Sequence, residues 1–260
     1  MREYTDFEKK VYGYDKMNEM QQTIVETLNE EHGEPRGYDC PICNNKQKYY
    51  AWDGNGVSCK KCSCVEVRKN LELAKNSGLG KMLETKTFAT YEPTNEQQQK
   101  TLAAAKKFIT DENGVCFYIG GNVGTGKTHL CAAMCKEFIA GKKPVRYMVW
   151  QDWVTRLKQA IANDAEAYEV MLEEAQTAEV LFIDDLFRVK VTDADREKAH
   201  LLINYRYNLW QTEEKRYVTL ITSEKTLQEL AEVDEAIASR IYEMAGVYKF
   251  TASGRNYRLR

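Results

Sequence analysis

A short apolar run, residues 115–119, leads directly into Gly121-Asn122-Val123-Gly124-Thr125-Gly126-Lys127-Thr128, and residues 128–140 then carry a helical pattern. The eight residues match Gly-x-x-x-x-Gly-Lys-[Ser/Thr] in full, between a strand and a helix as that motif requires. Gly121, Gly124 and Gly126 let the backbone turn tightly and aim its N–H groups at a phosphate. The helix that follows adds its positive N-terminal end. Lys127 is placed to bridge β- and γ-phosphates, and the Thr128 hydroxyl to ligate Mg²⁺. His129, at the edge of this cradle, reads as a packing or capping residue. A glycine-rich turn with an incidental lysine would not need the flanking strand and helix.

The second half of such a site is Val180-Leu-Phe-Ile-Asp184-Asp185, four apolar residues ending in two carboxylates. Ligands of parallel sheets bind at the C-terminal ends of strands, so the carboxylates emerge where a nucleotide would sit. Asp184 is expected to hold the magnesium and Asp185 to orient or deprotonate the attacking water. A capping Asp pair that merely starts a turn is the plainer alternative. Together the two motifs predict binding and hydrolysis of ATP with Mg²⁺.

The rest of the C-terminal part alternates strands with helices. Helical patterns cover residues 95–110, 151–177 (two helices), 193–211 and 227–245, the last with a break near Val233. Strands are expected at 145–150, 179–183 and 217–222 beside that at 115–119. This is the α/β pattern of a parallel sheet covered by helices. Residues 84–94 are poor in apolar side chains and end in Glu92-Pro93, so they read as a linker. The predicted organisation is therefore an N-terminal module over 1–83, a linker over 84–94 and a P-loop domain over 95–260.

At this point the chain resembles the AAA+ ATPases of the DnaC/DnaI/IstB group, which are replicative helicase loaders and transposition helpers. The resemblance rests on the P-loop, the Asp184-Asp185 pair, Leu220-Ile-Thr-Ser223 and Ser239-Arg240-Ile241, and spans roughly residues 87–260. It implies a P-loop NTPase of AAA+ type without the additional helical lid domain. It implies that Arg240 is an arginine finger reaching a neighbouring subunit's γ-phosphate, so that hydrolysis depends on self-assembly into nucleotide-dependent oligomers. Asn256-Tyr257-Arg258 is similar to the tail motif that supplies a second sensor arginine, making Arg258, or else Arg255, the candidate. One position departs from the pattern. The group commonly has Asn after Thr-Ser, where this chain has Glu224, and a carboxylate there repels phosphate unless it is protonated or paired. Thr222 or Ser223 is then left to make the polar contact.

Five of the eight cysteines fall between Cys40 and Cys64. Cys40-Pro-Ile-Cys43 and Cys59-Lys-Lys-Cys62 form two C-x-x-C pairs, the spacing of a zinc ribbon with four thiolate ligands and no open position. Cys64 competes with Cys62 as the fourth ligand. The ribbon is locally basic, with Lys46, Lys48, Lys60, Lys61, Arg68 and Lys69 among aromatics. It is either a grip for single-stranded DNA or the solvated surface of a protein-docking module; the resemblance implies docking onto a helicase. Residues 15–31 place Met17, Met20, Ile24 and Leu28 on one helical face. That face either covers the ribbon or binds a partner.

Net charge is −2, from 37 basic and 39 acidic residues, so DNA binding must come from a local patch rather than bulk charge. Arg156 and Lys158, after Tyr147, Trp150 and Trp153, are the DNA candidates in the ATPase part, with Trp150 equally readable as core. No apolar h-region and no membrane-length apolar run is visible, so a cytoplasmic protein without membrane contact is expected. The expectation is thus an ATP-dependent loader of the replicative helicase onto single-stranded DNA. Three readings compete with it: a transposition helper, a zinc- and nucleotide-binding adaptor without turnover, and a small-molecule P-loop kinase. The last leaves Arg240 and the cysteine module without a role.

Overall fold

The computed structural model describes residues 5–35, 37–213, 215–254, 256 and 257. The chain divides into two compact units, residues 1–71 and 72–260.

In the first unit, α1 (Asp6–Tyr12) starts on a reciprocal Thr5–Glu8 capping box and α2 (Glu19–Asn29) on an equivalent Asn18–Gln21 box. A 3₁₀ turn, Tyr14–Lys16, separates them, so the predicted helix over 15–31 begins later than its pattern suggests. The hairpin of β1 (Lys48–Trp52) and β2 (Val57–Lys61) follows, then α3 (Cys64–Asn76). Tyr12, Tyr14 and Val25 make a small apolar core against Tyr49, Val57 and Met17. Asn29 ties the end of α2 to β1, exchanging two hydrogen bonds with the Tyr50 backbone at 2.8 and 2.9 Å. Met20, Ile24 and Leu28 are exposed, so they do not cover the ribbon; Val25 and Met17 make the packing contact instead.

The second unit carries α4 (Gly80–Thr85), α5 (Glu96–Thr110), β3 (Cys116–Gly121), α6 (Lys127–Ala140), β4 (Val145–Val149), α7 (Trp150–Asn163) and α8 (Ala165–Gln176). It continues through β5 (Val180–Leu186), α9 (Asp193–Thr212), β6 (Val218–Ser223), α10 (Leu227–Val233), α11 (Glu235–Ala245) and β7 (Lys249–Ala252). Between α3 and α4 lies Gly78, whose φ of +93° takes the left-handed turn that stops a helix. Five strands form one parallel sheet in the order β4-β5-β6-β3-β7, which puts the P-loop strand between two neighbours. The helix-covered P-loop NTPase fold is as expected. β7 was not: Lys249-Phe-Thr-Ala is too short and too polar to read as a strand, and it sits at the sheet edge.

One buried cation fastens the end of the sheet remote from the P-loop. Arg206 on α9 is 2% exposed. Its guanidinium donates to the carbonyls of Gln176 (3.0 Å), Ala178 (2.9 Å) and Val218 (2.7 Å), and Nε donates to Thr219 Oγ1 (2.6 Å). It thereby satisfies carbonyls at the end of α8 and the start of β6. Burial pulls its pKa down to about 10, which still leaves it charged at neutral pH. Arg206→Met should strand those carbonyls. We expect a cost of about 3 kcal/mol, or a melting temperature lower by roughly 6–12 °C, measured by thermal denaturation.

Candidate nucleotide site and cysteine centre

β3 delivers the P-loop to the C-terminal edge of the sheet, and α6 begins at Gly126, whose φ is +92°. The loop's glycines are required by close neighbours as well as by the turn. A Cβ on Gly124 would lie 1.8 Å from Asn256 Oδ1, and one on Gly126 would lie 2.9 Å from the Tyr91 ring. Lys127 donates to the Gly121 and Asn122 carbonyls at 2.8 and 2.7 Å, folded back over the loop. Thr125 Oγ1 braces the loop by donating to Asn122 O at 2.8 Å.

Asp184 is buried, and three hydroxyls converge on it. Thr128 and Thr222 donate to Oδ1 at 2.9 and 2.6 Å, and Tyr147 donates to Oδ2 at 3.1 Å. Burial raises the Asp184 pKa, and the Thr222 and Thr128 hydrogen bonds oppose that rise. Thr222 also accepts from the Asp185 amide at 2.9 Å, so its hydrogen bonds run to β5, and it is not among the residues that line the cavity. Ser223 instead donates to Leu186 O. Thr128 and Asp184 together offer hard oxygen donors on neighbouring elements, which suits Mg²⁺.

A cavity of about 360 Å³ lies over the loop. Val123, Gly124, Gly126, Lys127, Thr128, His129, Asp185 and Glu224 line it, with Lys86, Thr90, Tyr91 and Glu92 on another side. Residues 84–94 are therefore not a spacer. His129 Nε2 donates to Thr87 O at 3.0 Å, and its ring meets Tyr91 edge-on at 5.3 Å. Burial lowers the His129 pKa, so a neutral imidazole pins this segment. His129 thus packs against this segment and also lines the cavity. Low apolar content hid the segment, because one buried tyrosine and polar contacts hold it.

The tail reaches the same loop. Tyr257 N donates to Gly124 O at 2.9 Å, and its hydroxyl donates to Glu92 O at 2.6 Å. The two sensor candidates, Arg255 and Arg258, lie outside the described residues. Arg240, on α11, is not among the cavity residues; it donates to Ala236 O at 2.9 Å and stacks 5.7 Å from the Tyr207 ring. Trp150 and Trp153 are core, 1% and 5% exposed. Lys158 is committed to Asp195, which completes the Thr192 capping box of α9, at 2.9 Å, whereas Arg156 is exposed. Sequence reasoning missed Arg188 altogether and gave Tyr147 no part in the nucleotide site. Arg188 binds Asp185 and Glu224, each at 3.1 Å.

In the first unit, the sulfurs of Cys40, Cys43, Cys62 and Cys64 all lie within 4.8 Å of one another, and all four residues are buried. Cys40–Cys62 and Cys43–Cys64 are 3.7 and 3.4 Å apart. A tetrahedral zinc with Zn–S near 2.3 Å separates its sulfurs by about 3.8 Å, so the set fits that ion. This corrects the predicted ligands: Cys59 is exposed in β2 opposite Tyr50, and both Cys62 and Cys64 enter. The C-x-x-C symmetry misled because Cys59 is still in the strand, while Cys62-Ser-Cys64 turns into α3 with only Ser63 pointing out. Asn45 accepts from the Cys40 amide at 2.8 Å and from Arg68 at 2.8 Å, and Arg68 also donates to Tyr38 O. Arg68 is thus buried scaffolding, not part of a basic surface, and Lys46 Nζ is bound to Leu28 O.

With this geometry in view, likenesses to known proteins carry weight. The sequence profile of the IstB-like ATP binding protein family matches residues 61–259. The phage-like element PBSX protein XkdC of Bacillus subtilis (strain 168) is 29% identical over 238 residues, 85% of either chain. The replicative helicase loader DnaC of Escherichia coli (strain K12) is 22% identical over 151 residues, covering 56% of this chain and 62% of DnaC. The crystal structure of the DnaC helicase loader superposes with a TM-score of 0.51 at 26% identity, covering 66% of this chain and 98% of that one. No helix among the described residues is long and apolar enough to cross a membrane.

The cysteine geometry makes a sharp prediction. Freshly purified protein should hold about one zinc per chain. Metal analysis should find it retained in Cys59→Ser and lost in Cys62→Ser and in Cys64→Ser. Retention in Cys64→Ser with loss in Cys59→Ser would restore the ligand set read from spacing.

Proposed function

This chain belongs to the IstB-like ATP binding protein family, and we propose that it is an ATP-dependent loader of a replicative DNA helicase onto single-stranded DNA. The observation that carries the reading is the convergence of Lys127, Thr128 and Asp185 at one cavity, with the buried Asp184 hydrogen-bonded to Thr128, in a chain similar to a helicase loader. Lys127 leaves the loop carbonyls to bridge the β- and γ-phosphates. Thr128 and Asp184 would hold Mg²⁺, which would supply charge neutralisation at the phosphates. Asp185 orients the attacking water. Tyr91, buried so that its hydroxyl pKa rises to about 12, closes the cavity wall as a neutral group.

Arg240, absent from its own cavity, is free to serve a neighbour's, and this makes hydrolysis a consequence of assembly. The N-terminal unit, held by zinc, docks on the helicase. Arg156 is the remaining candidate for contact with single-stranded DNA on α7. A transposition-helper reading is favoured by the family's own name, and recovery of a transposase instead of a replicative helicase in a pull-down would decide for it.

Assembly dependence gives the mechanistic test. Phosphate release should rise with protein concentration and with single-stranded DNA. Lys127→Ala should lose ATP binding while keeping the fold. Arg240→Ala should keep ATP affinity yet lose stimulated turnover by about 10³-fold. Mixing the two variants should restore part of the rate, because a working finger then faces a working loop. A rate independent of concentration, with no recovery in mixtures that co-assemble, removes the switch.

A further inference from the structure

Besides Glu92 on the 84–94 segment, two carboxylates line the nucleotide cavity from the strand ends: Asp185 and Glu224. They arise from different strands, β5 and the end of β6, and nothing in their own elements neutralises them. Arg188 does. Its Nη1 lies 3.1 Å from Asp185 Oδ2 and its Nε 3.1 Å from Glu224 Oε1, so one planar guanidinium spans both. The backbone is bent to bring it there. Asp185 and Phe187 both hold left-handed φ, +57° and +53°, a costly conformation for residues with side chains. Phe187 is 2% exposed and packs edge-on against Trp150 at 5.7 Å, which anchors the bend, while Ser223 binds Leu186 O at 2.8 Å. The turn therefore delivers Arg188 to a fixed place between the two acids.

We infer that Arg188 is a positioning residue that makes the site accept a triphosphate, by holding Asp185 and Glu224 neutralised against the γ-phosphate. The inference rests on the ATP reading above. Without the guanidinium, two unpaired carboxylates face the most highly charged end of ATP, and like charges disfavour its approach. ADP lacks that terminal group, so its affinity is little affected. Arg188 is about half exposed, so the effect is that of a partly screened pair and not of a buried one.

The experiment measures ATP and ADP affinities by titration calorimetry for the wild type, Arg188→Ala, Glu224→Gln and the double variant. Arg188→Ala should lose ATP affinity by about tenfold and keep ADP affinity within about threefold. Glu224→Gln removes one of the two charges, so the double variant should regain most of the ATP affinity. A general loosening of the turn could not be rescued at Glu224, which makes the rescue specific to charge. Equal loss of ATP and ADP in Arg188→Ala, including loss through misfolding, overturns the inference, as does a double variant no better than the single. A wild type that binds neither nucleotide overturns the parent reading instead.

Discussion

Asp184 is a carboxylate taken almost wholly out of water, and the architecture around it follows from the need to satisfy it. Three hydroxyls meet that need from three separate elements: Thr128 from α6, Tyr147 from β4 and Thr222 from β6. Each bond fixes an element relative to β5. The P-loop helix is thereby held against the strand whose carboxylates complete the site, before any ligand arrives. Preorganisation of this kind means that a cation at Thr128 and Asp184 would replace hydrogen bonds already made, not order a loose loop. It also explains why a tyrosine, which a phosphate site does not otherwise need, sits in β4: Asp184 has a second oxygen, and Tyr147 is the donor within reach.

The sheet is closed at its opposite end by the reverse arrangement. There the buried charge is a cation, Arg206, and its partners are backbone carbonyls plus the Thr219 hydroxyl. Parallel strands leave carbonyls at loop junctions that neither helix nor ladder satisfies, and a guanidinium with five donors is suited to collect them. A core of aliphatic residues such as Leu181, Ile183, Ile203 and Ile221 fills the space between the two charged ends. Apolar burial supplies the bulk of the cohesion, whereas the two buried polar groups tie neighbouring elements together at either end.

What was legible in the sequence was what is contiguous. The P-loop and the Asp pair are local strings whose geometry is set within one turn, and α5, α6 and α9 announce themselves by helical patterning. Contacts between distant segments were not legible. Nothing in the spacing of Cys59 and Cys62 says that the strand runs to Lys61, which excludes the first sulfur from the cluster. Nothing in a basic composition says that Arg68 is spent on the Tyr38 carbonyl, or Lys158 on Asp195. The problem raised by Glu224 was visible, since a carboxylate there conflicts with phosphate; its answer lay 36 positions upstream, at Arg188. β7 escaped because an edge strand of four residues needs no apolar signature to pair with β3.

The P-loop serves as more than a phosphate cradle, because distant parts of the chain are fastened to its glycines. Tyr91 lies against Gly126 from the N-terminal side, and Asn256 and Tyr257 lie against Gly124 from the C-terminal side. The two arms also meet each other, through the Tyr257 hydroxyl on Glu92 O and on Gln98 Oε1 at 3.0 Å. A residue larger than glycine at either position would therefore separate these arms as well as strain the loop. The same closeness runs in the other direction. Any movement of the loop that lets Lys127 leave the Gly121 and Asn122 carbonyls has to be shared with Tyr257, whose amide is bonded to Gly124 O. The P-loop is thus mechanically tied to the wall that encloses it and to Tyr257 of the tail.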